Sequence, residues 1–241
     1  MDRSPLWALV PVKDLDRAKQ RLAAVLGPEE RRALFRAMLE DVLAALAASE
    51  GLGGILLVTR DPQARALAGR YGARVLIEDE SRGHTAASGL GARALAQQGI
   101  AGMVQVPADV PLLLPEDVAA LLEGHGEAPA VTLAPSRDER GSNAVACSPP
   151  DLLPLRFGAD SFLPHVRRAQ ALGIEPKIVR RPGLALDIDT PEDLTAFLAA
   201  PSQTRAYAYL AESGIAERLM RPRAQSAPPY RARRRGRTCS E

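Results

Sequence analysis

Residues 54–62, GILLVTRDP, run from an unbroken apolar stretch straight into a helix start. Gly54 to Thr59 has the length of a strand, and a strand that is apolar throughout is buried on both faces, as in a parallel sheet. Asp61 can accept from the free N–H groups of the turn that follows, and Pro62 suits the first helical position. The same unit recurs on either side. Upstream, Leu6 to Val12 is a short apolar run, and Gly27-Pro28-Glu29 opens a long amphipathic helix to Ser49 with Leu34, Met38, Val42 and Leu46 on one face. Downstream, strands at Ala73–Glu78, Gly102–Val106 and Pro129–Ala134 alternate with helices at Thr85–Gln98 and Pro115–Glu123. Such alternation predicts an α/β fold, a mainly parallel sheet with helices on both faces.

The second half is less regular. Ser142 to Cys147 reads as a strand, Asp160 to Leu172 as a helix and Pro176 to Val179 as a short strand. LALDIDTPEDL (184–194) reads as strand, sharp turn and helix, with Thr190 as N-cap, Pro191 at the first helical position and Asp193 completing a capping box. Gln203 to Leu219 is a further amphipathic segment, packed on the domain or on a partner. No internal repeat is present.

The 241 residues carry a net charge of +2, but seven Arg and one Glu lie beyond position 220, so the body is acidic. The expected organisation is one domain over 1–220 and an Arg-rich disordered tail over 221–241. The acidic body argues against a specific nucleic-acid partner. Cys147 and Cys239 match no zinc pattern or disulfide framework, and no apolar run suits a signal peptide or membrane span. The expected setting is cytoplasmic, with no membrane partner. A homodimer is one admissible state, and the residues do not choose among oligomers.

Three acidic residues stand out. Asp109, in VQVPADVPLL, lies just past a buried strand, and ligands of open α/β sheets bind outside the carboxyl ends of strands. Asp187 and Asp189 stand two apart in an extended segment, which puts their side chains on one face, roughly 6.6 Å apart. Hard oxygen ligands of this kind suit Mg²⁺. Taken singly, Asp109 reads equally as a turn residue before Pro111, and Asp189 as a helix-entry residue beside Thr190.

Basic residues Lys13, Lys19 and Arg21 follow the first strand, where a triphosphate needs cations, although such a run is usually a solvated helix face. No Walker motif is present. Ser81-Arg82-Gly83-His84-Thr85 reads as a base-contacting loop or an ordinary strand-to-helix turn, with Gly83 at the bend and Thr85 as helix cap. Ser142 and Asn143 follow Gly141 in a loop. Arg156, Gly158 and Ser161 cluster before a helix that Asp160 or Ser161 would cap, a ready anion site. His165 reads either as a group supporting the site from behind or as a satisfied surface histidine, and local evidence favours the latter.

Taken together, PVK…AKQRL, PADVPLL, GSNAV, RFGADSF…H and LDIDTPEDL resemble the guanylyltransferases of coenzyme F-420 biosynthesis, over Leu6 to Asp193 and loosely to Leu219. The resemblance implies a single-domain nucleotidyltransferase fold related to GT-A glycosyltransferases, with a mixed, mostly parallel sheet. It implies GTP and a small phospho-acid as substrates: 2-phospho-L-lactate, phosphoenolpyruvate or 3-phospho-D-glycerate. It implies Asp109, Asp187 and Asp189 as Mg²⁺ carboxylates, and Lys13, Lys19 and Arg21 facing the triphosphate. Lys13, Lys19 and Asp109 would act in catalysis, Gly83 and Thr85 would contact GTP, and Ser142, Gly158 and Ser161 would line the phospho-acid pocket. Two departures stand out. Gly83-His84-Thr85 replaces the usual Gly-Leu-Asn, which bears on base identity, and Gly141-Ser142-Asn143 replaces Gly-Thr-Asn, which keeps the hydroxyl. The whole chain, including the TRAYAYLAESGIAERL extension, is similar to family members acting on 3-phospho-D-glycerate.

Two other readings compete. Molybdenum-cofactor, sugar-phosphate and methylerythritol-phosphate nucleotidyltransferases share the general architecture, but carry a Gly-rich loop where this chain has PVKDLD. A non-catalytic protein binding acidic partners through its basic tail is the second.

Overall fold

The computed structural model describes residues 4–78, 80, 83–158 and 160–220. The tail 221–241, with its expected disorder, and Ser81-Arg82 of the expected base loop lie outside the described residues. Among these residues, seven strands form one sheet: β1 Leu6–Pro11, β2 Leu52–Val58, β3 Arg74–Leu76, β4 Met103–Gln105, β5 Ala130–Pro135, β6 Ser142–Ser148 and β7 Lys177–Ile178, in the order β3-β2-β1-β4-β6-β5-β7. The helices are α1 Pro28–Ala48, α2 Pro62–Arg70, α3 His84–Gln97, α4 Pro115–Gly124, α5 Phe162–Ala171, α6 Pro182–Ala185, α7 Pro191–Leu198, α8 Arg205–Glu212 and α9 Ile215–Met220.

Strand alternation separates two cores. Ala8 and Val10 of β1, Ile55 and Leu57 of β2, and Ala144 and Ala146 of β6 face α1, α7 and α8. Leu9, Leu56, Val58, Val145 and Cys147 point the other way, onto α3 and α5. Asp61 caps α2 as its position predicts, accepting from the N–H groups of Gln63 at 2.8 Å and Ala64 at 3.0 Å. Helix α3 crosses β1 so closely that a Cβ on Gly91 would overlap the Leu9 side chain. The extension 203–219 packs on the domain: buried Asp41 of α1 accepts from the N–H groups of Arg205 (2.8 Å) and Ala206 (2.9 Å), satisfying the free start of α8 from across the fold.

The sheet is mixed because β6 runs antiparallel to both β4 and β5. That reversal positions the site. Parallel neighbours β1 and β4 end at one edge of the sheet, and β6 begins there, so Lys13, Asp109 and Ser142 arrive together.

Three expectations are corrected. The strand predicted through LALDID does not form: 182–185 make the single turn α6, and 186–189 join no ladder. Ile188 instead buries its side chain and donates its N–H to the Asp109 carbonyl at 3.0 Å, a lone bridge that needs no strand. Of the two cap candidates for α5, Ser161 takes the N-cap position, but its side chain makes no capping bond: its hydroxyl accepts from the Ser142 N–H at 3.0 Å. Thr85 lies inside α3 rather than at its cap, since the helix starts at His84 behind Gly83, whose φ of +92° suits glycine.

Candidate active site

A cleft of about 700 Å³ opens at this edge of the sheet, and Lys13, Arg21, Gly83, Thr85, Asp109, Ser142, Gly158, Ser161, Asp187 and Asp189 all line it. Lys19 lines a smaller adjoining recess with Asp109 and Asp189. The residues to which the resemblance assigns a role thus meet in one place, whereas Arg156, Asp160 and His165 line neither space. A larger cavity, about 840 Å³, lies beyond Thr85 between α3 and residues 151–155, but contains none of the acidic trio, so volume does not choose the site.

One wall is acidic. Asp109 leaves the end of β4, and the Ile188–Asp109 backbone bridge brings Asp187 and Asp189 beside it. The Thr190–Asp193 capping box then turns the chain into α7: Asp193 Oδ2 accepts from the Thr190 N–H at 2.9 Å, and Thr190 Oγ1 accepts from the Asp193 N–H at 3.2 Å. Asn143 donates to Asp187 Oδ1 at 3.1 Å and to the Leu184 carbonyl at 2.8 Å, holding that carboxylate in place.

Lys19 departs from its expected place. Its ammonium turns into the acidic wall, hydrogen-bonded to Asp109 and, at 2.8 Å, to Asp189, with only 4% of the side chain exposed. Burial alone would lower its pKa, but the two carboxylates more than reverse this and hold it above its usual value. Its backbone is left-handed, with φ of +54°, and this aims the side chain inward. Arg21 stands outside, 3.8 Å from Asp189.

Among the described residues, no three acidic, His or Cys side chains converge on one point as a ready cation shell. A Mg²⁺ ion needs only one or two carboxylates, with water and phosphate completing its shell. Two features of the wall fit a cation. Asp109 Oδ1 is buried with no hydrogen-bond partner among the described residues. Burial, and then repulsion from Asp109, push the Asp187 carboxyl up to about 6.

The opposite wall carries hydroxyls and backbone. Ser142 and Ser161 face the cleft beside Gly158, which has no side chain and so offers only backbone there. His165, expected on the surface, is fully buried behind them because α5 turns it onto β6. It stands 2.9 Å from Ser142 Oγ through Nδ1, and its Nε2 accepts from the Arg156 N–H at 3.1 Å. His84 meets Phe157 edge-on, and Gln105 Nε2 stands 3.3 Å from its Nε2.

The sequence matches the family described as "Guanylyl transferase CofC like" over residues 6–227. The chain belongs to this family. It is 40% identical, over 81% of its length and 94% of the relative's, to the phosphoenolpyruvate guanylyltransferase of Rubrobacter xylanophilus. To the 3-phospho-D-glycerate guanylyltransferase of Colwellia psychrerythraea it is 34% identical, over 80% of its length and 92% of the relative's. Among solved structures, a chain described as a nucleotide-diphospho-sugar transferase from Desulfovibrio desulfuricans superposes with a TM-score of 0.72 at 19% identity, covering 90% of this chain and 99% of that one. The expected single-domain nucleotidyltransferase fold is therefore observed, and the chain is a nucleotidyltransferase of the CofC-like family.

The sequence reading missed one part of this cleft. Ser136, Arg137, Asp138 and Arg140, from the β5–β6 hairpin, line its mouth. Arg140 Nε bonds Asp160 at 2.7 Å, and Arg137 reaches Asp193 at 3.5 Å. The signal was the charged run SRDER immediately before GSN, readable only once 130–135 and 142–148 are known to pair as a hairpin.

His165, buried, and His84, part-buried in the cleft wall, predict an acid-side loss of stability. Burial pushes both His165 and His84 down to about 4, against 6.5 for a free side chain. A depressed folded pKa contributes stability that is present above the unfolded value and lost as pH falls through the folded one. Each costs roughly 2 kcal/mol by pH 5. Asp187, raised to about 6, acts in the opposite sense over the same window, because its buried charge is relieved on protonation. Urea midpoints at pH 7 and pH 5 should fall for the native chain, and fall less for His165→Asn. An equal fall in both would remove His165 from this account.

Proposed function

We propose that this protein transfers GMP from GTP to a phosphorylated three-carbon acid, releasing diphosphate, as a step of coenzyme F-420 biosynthesis. The carrying observation is the pairing, in one cleft of a CofC-like chain, of an acidic wall at Asp109, Asp187 and Asp189 with a hydroxyl wall at Ser142 and Ser161. The first suits a cation on a triphosphate, and the second suits the anionic acceptor.

In the proposed reaction a phosphate oxygen of the acceptor attacks the α-phosphorus in line. The bond from that phosphorus to the β-phosphate oxygen breaks, and diphosphate leaves with its electron pair. The attacking oxygen is already an anion, so no side chain has to remove a proton. This agrees with the lack of a Ser-His-Asp or Cys-His arrangement in the sequence reading. Catalysis then consists of positioning and charge neutralisation. Ser142, Ser161 and the backbone at Gly158 hold the acceptor. Lys13 and Arg21 balance the triphosphate charge from the cleft side. Asp109, Asp187 and Asp189 would hold Mg²⁺, which supplies polarisation of the α-phosphate and neutralises the leaving diphosphate.

The resemblance of the whole chain, its extension included, pointed to 3-phospho-D-glycerate. The relative at 40% identity is named for phosphoenolpyruvate, against 34% for one named for 3-phospho-D-glycerate, so we take phosphoenolpyruvate as the first acceptor to test. The test is diphosphate release with Mg²⁺, each of the four nucleoside triphosphates and each of the three acids. Release with GTP and one acid is expected. Release with a different triphosphate would replace guanine as the base, on which the Gly83-His84-Thr85 departure bears, and no release from folded protein would overturn the proposal.

A further inference from the structure

We propose that His165 is a positioning residue, locking the Ser142 hydroxyl into donating its proton to the acid acceptor, so that this half of the cleft accepts only anions. The inference rests on the reading of the cleft as a guanylyltransferase site.

The argument starts from a donor that cannot reverse. A backbone N–H only donates, so the Arg156 N–H at 3.1 Å makes His165 Nε2 an acceptor without a proton. A neutral ring with a bare Nε2 carries its proton on Nδ1. Nδ1 stands 2.9 Å from Ser142 Oγ and therefore donates to it. With a lone pair taken by the ring, and the ring unable to accept, the Ser142 proton must point away from His165. Ser142 lines the cleft.

Ser161 is set by the same logic from the other side. The Ser142 N–H, again donor only, gives its hydrogen to Ser161 Oγ at 3.0 Å, leaving the Ser161 proton for another acceptor. Two neighbouring hydroxyls, 6% and 4% exposed, have thus each accepted a hydrogen from behind. They present donors side by side, and a phosphate or carboxylate is the ligand chemistry that takes both. A neutral hydroxyl compound would have to offer two acceptors and would gain less. Phe157, edge-on to His165 with ring centroids 5.3 Å apart, fixes the ring plane on which this depends.

The test has two readouts on the full chain. The first is ¹⁵N-histidine NMR at pH 7.5, with His165 assigned by its loss in His165→Asn. A protonated Nδ1 and a bare Nε2 are expected, and the opposite tautomer or a charged ring overturns the proposal. The second is calorimetric binding of phosphoenolpyruvate, 3-phospho-D-glycerate, 2-phospho-L-lactate and inorganic phosphate. His165→Phe keeps a ring but no donor, and should weaken binding of the preferred acid about tenfold while GTP affinity stays within about twofold. His165→Asn should recover most of the loss, because its amide N–H₂ can occupy the Nδ1 position. Ser142→Ala should match His165→Phe, and the double variant should lose little more. Unchanged acid binding, or a parallel fall in GTP affinity, overturns the positioning role, as does failure of the native chain to bind any of the four anions. Acid binding that shows the expected pattern without diphosphate release under any condition would instead sink the proposed reaction and leave this subsite standing.

Discussion

Asp109→Asn should lower turnover by about 10³-fold or more while leaving the fold intact. The side chain sits at the end of β4, where its Oδ1 is buried without a partner among the described residues and its Oδ2 meets Lys19. Asn preserves the shape, so the cores are undisturbed. It removes the charge on which a cation and the ammonium both depend. Several kcal/mol of transition-state stabilisation are at stake in such a site, and each 1.36 kcal/mol is about tenfold in rate. The check is kcat alongside the melting temperature. A variant that loses stability in step with activity would make Asp109 a structural turn residue, the reading its flanking prolines also allowed.

Lys19→Met is expected to separate the Lys19 ammonium from the cation proposed for the acidic wall. Removing the ammonium leaves Asp109 and Asp189 facing one another in a part-buried recess, with Asp187 in the adjoining cleft. The loss should be about 2 kcal/mol in a chelator, less than the 3–5 typical of a broken buried pair. The discount reflects Asp189, whose side chain is 44% exposed and screened by water. Added Mg²⁺ should then raise the melting temperature of Lys19→Met more than that of the native chain, because it takes over the charge that Lys19 supplied. Turnover should remain low, at about 10²-fold below native, since the carboxylates proposed to hold the cation lose the group that sets their spacing. If Mg²⁺ stabilised both chains equally, the recess holding Lys19 would be separate from any cation site.

The run of alternating strands and helices was readable in the chain itself because its signals are local. Asp61-Pro62 and Thr190-Pro191 with Asp193 cap their helices through contacts within four residues, and they do so in the fold as read. The apolar runs at 54–59 and 102–106 are buried strands for the same local reason. The LALDID segment misled because an apolar–acidic alternation looks like a strand, whereas here one long-range N–H bond, Ile188 to Asp109, and a buried Ile188 side chain explain it.

Residue types and order therefore determined the layered α/β architecture and the set of side chains proposed to bind phosphate and metal. Tertiary structure decided what those side chains do to one another. Strand β6 reverses and brings Ser142 to the edge where β1 and β4 end. Lys19 turns inward onto the acidic wall, and His165 is buried behind Ser142 rather than displayed. The physical reason is distance along the chain. Lys19 and Asp189 are 170 residues apart, and Ser142 and His165 are 23 apart, so no local propensity or period carries their pairing.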